Sequence, residues 1–303
     1  MKVIVTTTIY DPSKELLEFS SLSDWKIIVV GDVITPHEKY ENLDNVIYLS
    51  PEYQEKKHKT LSDLIGWKNI QRRNIGFIEA YRLGADIIAS VDDDNMPYSG
   101  WGQNLLLGTQ IAARQHTTEL ICLDPIFVTN YSYLWHRGFP IDLIKSRQCE
   151  TQSGSIKADI QSDFWNGDPD IDAICRMIHN VDCDFDDACF PFFSHSFSPF
   201  NSQNTFFTKD VIKHYFVFPH IGRMDDIWAS YYVEAMGYKV IYNKATVYQE
   251  RNKQDVMKNF ENEILGYTKT NKLLESLRND PESIKNFIPE RSWLSFLEYK
   301  KSF

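Results

Sequence analysis

The first hundred residues alternate short runs of apolar and β-branched residues with segments of helical periodicity. Between the third and fourth runs, Ile70, Ile75 and Ile78 recur at helical spacings and Gly84 follows as a stop signal, which predicts a helix over 69–83. Alternating strands and helices are typical of βαβ units. The sequence therefore predicts an α/β fold with a mainly parallel central sheet flanked by helices, its first strands at 3–8, 25–30, 46–49 and 87–91.

The remaining two thirds of the chain are less regular. Residues 115–204 are rich in Asp, Phe, Ser and Pro without clear periodicity, which predicts long loops around a site. A helix is expected at 225–236, a strand at 239–242, and a helical tail from 255 with breaks at Pro281 and Pro289. We expect one domain over 1–260, with 261–303 as a helical extension packed on it.

Charge and cysteine usage narrow the class of protein. The net charge of -10 and the isoelectric point near 5.3 argue against general binding of nucleic acid or of anionic membranes, so a polyanionic ligand needs local positive charge. The five cysteines form no CxxC pair, which argues against a disulfide framework or a zinc site. The chain shows no leader and no apolar run of bilayer length. We expect a cytoplasmic protein without a transmembrane segment.

An acidic run follows the predicted strand at 87–91. Asp92, Asp93 and Asp94 lie where the carboxyl end of that strand should be, the place where α/β sheets bind ligands. Three adjacent carboxylates repel each other unless a positive charge shares the site, so a divalent cation such as Mn²⁺ or Mg²⁺ is the simplest explanation. A solvated acidic turn that caps the strand is the alternative.

A second acidic pair begins the helix predicted at 225–236. Asp225 and Asp226 could serve as a general base or position an acceptor, and Arg223 just before them could contact a phosphate. The alternative is that the pair only caps the helix, because carboxylates are favoured at a helix N-terminus.

The DDDN run together with GRMDDIWASYY resembles the glycosyltransferases of the GT-A fold, which implies a Rossmann-like sheet with long acceptor-side loops. Further stretches resemble, in the same order over residues 27–260, the STELLO-type glycosyltransferase-like domain: GDVITP, YLSPEYQ, RRNIGFIEA, RGFPIDLI, NGDPDIDAICR, NSQNTFF and YQERN. RGFPIDL, PDIDA and GRMDDIWA also resemble the reversibly glycosylated polypeptides, which act as UDP-arabinopyranose mutases. The ordered succession of these motifs indicates a common fold and nucleotide-sugar chemistry.

The resemblance to these families implies a role for each matching position. Asp94 is the first expected metal ligand, Asp92 is a second, and Gln249, which stands where related proteins have a histidine, is a weaker third. Because Gln249 is a weak ligand, we expect metal binding that is weak or depends on the nucleotide. The residues expected to contact the nucleotide sugar are Thr6, Thr7, Thr8, Asp32, Arg72, Arg73, Asn74, Asp92, Asp93, Asp168, Asp170 and Arg223, with Asp172 beside them in the PDIDA element.

Three residues are expected to be catalytic. Asp226 matches the base of inverting members, Asp225 lies beside it, and Arg137 matches the arginine that becomes glycosylated in the mutases. A second arginine of that mutase motif is replaced by Ile144, which argues against self-glycosylation. For Arg72 and Arg73 the alternative is an exposed helix end, and for the three aspartates of 168–172 it is an ordered acidic loop.

These features predict a metal-dependent glycosyltransferase. Its donor would be a nucleotide-diphosphate sugar, most simply a UDP-sugar, and its acceptor a glycan or another hydroxyl compound. The alternatives are a pyranose/furanose mutase for UDP-sugars, a self-glycosylating protein, and a scaffold that keeps the fold without catalysis. A homo-oligomer is compatible with the sequence.

Overall fold

The computed structural model describes residues 1–250 and 255–303, so Arg251 and Asn252 of the YQERN motif lie outside the described residues. Eleven strands of the described chain belong to one sheet. They are β1 (Lys2–Thr8), β2 (Trp25–Gly31), β3 (Val46–Leu49), β4 (Ile87–Val91), β5 (Asn95–Pro97), β6 (Ile111–Thr117), β7 (Glu150–Ile156), β8 (Ile160–Gly167), β9 (Phe192–Phe193), β10 (Asn204–Thr208) and β11 (Val240–Gln249).

The strand order across the sheet is β3-β2-β1-β4-β10-β8-β11-β9-β6-β7, and β5 pairs with β11. Strands β3, β2, β1 and β4 are parallel, and β8 and β11 run in the same direction as these four. Strand β10 is inserted antiparallel between β4 and β8. The predicted α/β class with a mainly parallel central sheet is confirmed.

Helices cover the faces of this sheet, and several begin at capping residues that the sequence supplies. Ser13 and Ser50 accept hydrogen bonds from Leu16 and Tyr53, which satisfies backbone donors in the first turns of α1 and α2. The helices are α1 (Lys14–Ser20), α2 (Pro51–Lys57), α3 (Lys59–Ile65), α4 (Arg73–Arg82), α5 (Ala173–Ile178), α6 (Lys209–Ile212), α7 (Asp225–Ala235), α8 (Val256–Asn279) and α9 (Glu290–Lys300).

The helix predicted over 69–83 is split at its start. A 3₁₀ turn covers Ile70–Arg72, and α4 follows and packs on β1 and β2. Gly76 makes this close approach possible, because a Cβ there would come within 2.5 Å of Val5 and 2.8 Å of Val30. The helix therefore lies against the sheet with most of its residues buried.

Long loops do lie within 115–204, but β7, β8, β9 and α5 also belong to this stretch, and the sequence analysis did not predict them. Strand β7 lies at the edge of the sheet and is exposed along most of its length. Its residues are mostly polar, so its sequence shows no apolar face. Strand β8 is almost wholly buried, yet it contains Gln161, Ser162 and Asp163. Asp163 accepts hydrogen bonds from Gln161 and Thr246, so these polar groups are satisfied inside the sheet. Neither strand shows the alternation that sequence reasoning requires.

The C-terminal helices pack on the body of the domain. Phe216 contacts the rings of Phe296 and Tyr299, with centroids 5.5 and 5.0 Å apart, and the Tyr299 hydroxyl donates to the Ile212 carbonyl at 2.6 Å. Helix α8 begins at Val256 and so runs through the boundary expected at residue 260. No helix within the described ranges is long and apolar enough to cross a membrane.

Candidate functional site

Two cavities meet at the carboxyl ends of the parallel strands, on either side of residues 92–94, which we call the acidic turn. The first, the β1–β2 cavity, has a volume of about 290 Å³ and includes Asp93 in its wall. The second, the acidic cavity, has a volume of about 370 Å³ and includes Asp92 and Asp94. Asn69 and Ile70 line both cavities, so the two are neighbours.

The β1–β2 cavity is mainly apolar with a few fixed polar groups. Thr7, Thr8 and Asp32 line it, as sequence reasoning expected, whereas Thr6 is buried and is not among the described residues of its wall. The Asp32 carboxylate accepts backbone N–H groups of Val33 and Lys68, both at 2.7 Å, and so fixes the wall. Its remaining lining is Ile9, Tyr10, Val30, Gly31, Ile34, Lys68, Asn69, Ile70, Arg72 and Asp93.

Asp93 lines the β1–β2 cavity, whereas Asp92 and Asp94 line the acidic cavity. Burial raises the pKa of Asp93 and the charge of Asp92 adds to this rise, while a hydrogen bond with Thr8 and the charge of Arg73 oppose it. The acidic turn therefore presents its carboxyl groups to two different cavities.

The RRN segment, residues 72–74, is buried, so the alternative of an exposed helix end is wrong. Arg72 and Arg73 are 1% and 2% exposed. Arg72 stacks over Trp67 at 3.2 Å and donates to Gln54, Ser62 and Gly66 at 2.7 to 2.9 Å. The distances from Arg73 to Asp92, the Ser202 carbonyl and Ser90 are 2.7, 2.8 and 3.0 Å.

Asn74 lies away from both cavities. Its side-chain amide donates to the Val217 carbonyl at 2.8 Å and accepts from the Val217 N–H at 2.9 Å. This pair of bonds joins α4 to the segment before α7. The structure therefore does not bring Asn74 to the site with the other expected donor-binding residues.

Arg137 lines the acidic cavity and forms ion pairs with two of its carboxylates. Its guanidinium contacts both oxygens of Asp170 at 2.8 and 2.9 Å and both oxygens of Asp226 at 3.0 and 3.3 Å. It also donates to the backbone carbonyl of Arg223. All three ionised side chains are almost fully buried. The Arg137 guanidinium, which contacts both oxygens of each carboxylate, thus joins the RGFPID motif to the PDIDA motif and to α7.

The two acids that begin α7 have opposite pKa shifts. Burial raises the pKa of Asp225 to about 7, and the charge of Asp226 adds to this rise. Burial opposes ionisation of Asp226 as well, but the attraction and hydrogen bonds of Arg137 outweigh it and hold the pKa of Asp226 below its ordinary value. Asp226 is therefore the ionised member of the pair, and Asp225 titrates near neutral pH.

The expected metal ligands share one wall of the acidic cavity. Asp94, Asp92 and Gln249 all line it, and the Gln249 amide nitrogen lies 3.4 Å from an Asp94 oxygen. The Gln249 oxygen accepts from Gln203, and Asp92 is paired with Arg73. In the described ranges no group of three or more His, Cys, Asp or Glu side chains is arranged to hold a metal. The oxygen donors fit Mg²⁺ or Mn²⁺, but they are too few for a protein-only site.

The remaining expected residues divide into those inside and those outside the acidic cavity. Arg223 and Asp170 line it. Asp168 is paired with Arg176 at 2.6 Å outside this lining, and Asp172 caps α5 and accepts from Trp135 at 2.6 Å. Of the three aspartates in 168–172, only Asp170 therefore faces the cavity, and Asp172 has a structural role.

Sequence reasoning assigned no role to residues 201–203, which we call the polar loop. Ser202 donates from its backbone N–H to Asp226 at 2.9 Å, and Asn201 donates to Asp170 at 2.8 Å. Gln203 donates to Gln249 and to Asn95. The NSQNTFF motif could have indicated that these residues belong to the site. Their hydrogen-bond partners are far away in the sequence, so the motif alone did not show what they bind.

No protein-family model matches the chain. Over 186 residues, or 57% of the chain, it is 26% identical to the probable glycosyltransferase STELLO2 of Arabidopsis thaliana. Over 185 residues it is 25% identical to the probable glycosyltransferase STELLO1 of the same plant. The matched region spans 24% of the length of each relative, about a quarter. These relatives support the predicted resemblance to the STELLO-type glycosyltransferase-like domain, while the similarity to the reversibly glycosylated polypeptides stays a prediction.

Proposed function

We propose that this chain is a metal-dependent glycosyltransferase that moves a sugar from a UDP-type donor to a hydroxyl group of an acceptor. The observation that carries the proposal is the pair of neighbouring cavities on either side of the acidic turn. An apolar cavity with a few polar groups suits a nucleoside, and a polar cavity beside it suits a diphosphate and a sugar. The acidic turn would lie at the diphosphate between them.

The charge of the acidic cavity supports a requirement for a cation. Its described lining contains five carboxylates, those of Asp92, Asp94, Asp170, Asp225 and Asp226, and two guanidinium groups, those of Arg137 and Arg223. A diphosphate would be repelled by this excess of negative charge unless a counter-ion accompanied it. Asp92 and Asp94, with Gln249 as a weaker ligand, would hold Mn²⁺ or Mg²⁺, which neutralises the leaving diphosphate when bound.

The pair at the start of α7 suggests how the acceptor is activated. Asp225 has a pKa of about 7, close to the value at which a general base is most effective. Asp226 accepts hydrogen bonds from Arg137 and Ser202, and its pKa is lowered. We therefore assign proton abstraction from the acceptor hydroxyl to Asp225, with Asp226 holding Arg137 in place, in contrast to the sequence expectation that Asp226 is the base.

The state of Arg137 argues against the mutase and self-glycosylating alternatives. Burial opposes its charge, but Asp170 and Asp226 outweigh burial and raise the pKa of Arg137 well above its ordinary value. Attack by a guanidinium nitrogen on the sugar would require loss of a proton that both carboxylates hold in place. Arg137 is better suited to orienting groups in the cavity than to forming a bond with the sugar.

Calorimetric titration with UDP tests the proposal directly. We expect UDP to bind in the presence of Mn²⁺ and to bind much more weakly without it, because the protein supplies too few ligands by itself. Asp94→Asn should remove the effect of Mn²⁺, whereas the exposed Asp44→Asn removes the same charge elsewhere and should leave it unchanged. Manganese-independent binding of UDP, or equal behaviour of the two variants, would contradict the proposal.

Hydrolysis of the donor provides a second test that needs no identified acceptor. A panel of UDP-sugars with Mn²⁺ should show slow release of UDP from one or a few donors, with water as the acceptor. The same reactions separate a mutase, since only a mutase would yield a ring isomer of the donor. Release of UDP should be lost in Asp94→Asn and retained in Asp44→Asn.

A further inference from the structure

The acidic turn and the acid pair of α7 belong to distant parts of the sequence, yet a continuous chain of buried polar contacts joins them. Arg73 contacts Asp92 at 2.7 Å through one guanidinium nitrogen. Its other terminal nitrogen donates to the Ser202 carbonyl at 2.8 Å and to the Ser202 hydroxyl at 2.9 Å. Ser202 in turn contacts one oxygen of Asp226, from its N–H at 2.9 Å and from its hydroxyl at 3.2 Å.

Arg73 lies behind the cavity wall rather than in it. Asp92, Ser202 and Asp226 line the acidic cavity, whereas Arg73 is not among the described residues that line either cavity. Burial opposes the charge of Arg73, but the charge and hydrogen bond of Asp92, with smaller contributions from Tyr215 and Asp226, raise its pKa above the ordinary value. A ligand in the cavity would meet Asp92, Ser202 and Asp226, and not the guanidinium behind them.

The position of Ser202 is itself fixed from several sides. Its carbonyl also accepts from the Ser90 hydroxyl at 2.6 Å, which ties it to β4, the strand that ends at the acidic turn. Its neighbour Gln203 accepts the Asp92 N–H at 3.1 Å through its carbonyl. The acidic turn and the polar loop that binds Asp226 are thus joined by direct hydrogen bonds.

We propose that Arg73 and Ser202 are positioning residues that couple the acidic turn to the acid pair of α7, and that Arg73 does not contact the diphosphate. A change of charge or position at Asp92 is transmitted to Asp226 through Arg73, which contacts Asp92, and then through Ser202, which contacts both Arg73 and Asp226. In the proposed glycosyltransferase, on which this consequence rests, engagement of the donor at the acidic turn would thereby set the position of the acids that face the acceptor.

The coupling can be measured without any ligand, by a double-mutant cycle on the unfolding equilibrium. Asp92→Asn and Asp226→Asn are made singly and together. The double variant should lose more stability than the sum of the single losses, because Arg73 is left buried without a nearby carboxylate. We expect this excess to be roughly fivefold in the unfolding equilibrium constant, within the range for residues of one hydrogen-bonded network.

Substitutions at Arg73 and Ser202 test the route of the coupling. Arg73→Met removes the buried cation that contacts Asp92 and Ser202, so the excess should fall toward onefold. Ser202→Ala removes only the hydroxyl and should lower the excess partly, whereas Ser202→Thr keeps the hydroxyl and should preserve it. A cycle between Asp92→Asn and Asp163→Asn is the control, because Asp163 is equally buried but bonds to Gln161 and Thr246 instead.

The outcomes separate this inference from the proposed function. An additive cycle between Asp92 and Asp226, or an excess that survives Arg73→Met, would overturn the coupling whether or not the protein binds UDP. If the wild-type protein binds UDP with Mn²⁺, Arg73→Lys should lower kcat for donor hydrolysis about tenfold or more while KM changes little. A large rise in KM with unchanged kcat would instead identify Arg73 as a ligand for the donor and overturn the positioning role.

Discussion

Replacing Arg137 by methionine should strongly destabilise the protein in a way that depends on pH. The substitution keeps most of the side-chain volume but leaves Asp170 and Asp226 buried without their cation. Removal of one partner from a buried ion pair costs about 3–5 kcal/mol. Since a domain is stable by roughly 5–15 kcal/mol in total, Arg137→Met should lose a large fraction of its free energy of unfolding.

The pH dependence follows from the direction of the Asp226 shift. In the wild-type protein the lowered pKa of Asp226 stabilises the fold above the ordinary aspartate pKa of about 3.9, and this stabilisation is lost as pH falls. In Arg137→Met the same carboxyl is buried beside other acids, so its pKa should rise. Ionisation then destabilises the variant as pH increases. The difference between the two proteins should therefore be smaller at pH 4 than at pH 8.

Urea unfolding at pH 4, 6 and 8 measures this difference, provided that the slope with denaturant is unchanged. Arg147→Met is the matched control, because Arg147 pairs with the buried Asp124 at 2.6 Å outside the acidic cavity. It should lose stability while keeping any binding of UDP with Mn²⁺. The reasoning about Arg137 is refuted by a loss below about 0.5 kcal/mol at pH 8, the range of ordinary surface substitutions. A loss that is equal at pH 4 and pH 8 would refute it as well.

Two further predictions concern α7 and the segment packed against it. Asp225→Asn should be more stable than the wild-type protein at pH 8 in urea unfolding and similar to it at pH 4, because the raised pKa of about 7 means that ionisation of Asp225 costs stability as pH rises from about 4 through 7. Gly138→Ala should lower the free energy of unfolding by more than about 2 kcal/mol, since Gly138 has a φ of +86° and a Cβ would lie 2.2 Å from Ile227. Gly84→Ala is the control, because Gly84 has a φ of +79° but a Cβ there would meet no neighbouring atom. It shares only the backbone strain and should lose less stability in the same urea unfolding measurement.

The sequence predicted those elements whose physical pattern is local. Strands β1, β2, β3 and β4 are short apolar runs, and their predicted bounds agree with the structure to within one residue. The acidic turn could be placed because it directly follows one of them. Helix α7 was predicted from its acidic start and from Gly237 as a stop, both of which lie within a few residues of the helix ends. Local signals therefore located both acidic groups of the site.

The parts that sequence reasoning missed depend on contacts between distant residues. Strand β8 contains polar residues that are satisfied across the sheet, so its burial leaves no apolar pattern. Arg72 and Asn74 look like a polar helix start, and only the fold shows that their partners are Gln54 and Val217. Strand β11 continues to Gln249 because β5 pairs with its end, and β5 is only three residues long.

The distribution of positive charge links these findings to the proposed role of a metal. The sequence analysis expected Arg72 and Arg73 to contact the nucleotide sugar. In the structure Arg72 instead stacks on Trp67 and donates to Gln54, and Arg73 is paired with Asp92. Arg137 likewise forms ion pairs with two carboxylates, those of Asp170 and Asp226. Arg73 and Arg137 therefore stabilise the acids of the site, and Arg223, which also lines the acidic cavity, is paired with Glu263 at 2.7 Å. These pairings leave little positive charge for a ligand. If a diphosphate binds at the acidic turn, its charge must be balanced from outside the protein, and a divalent cation that arrives with the nucleotide meets that need.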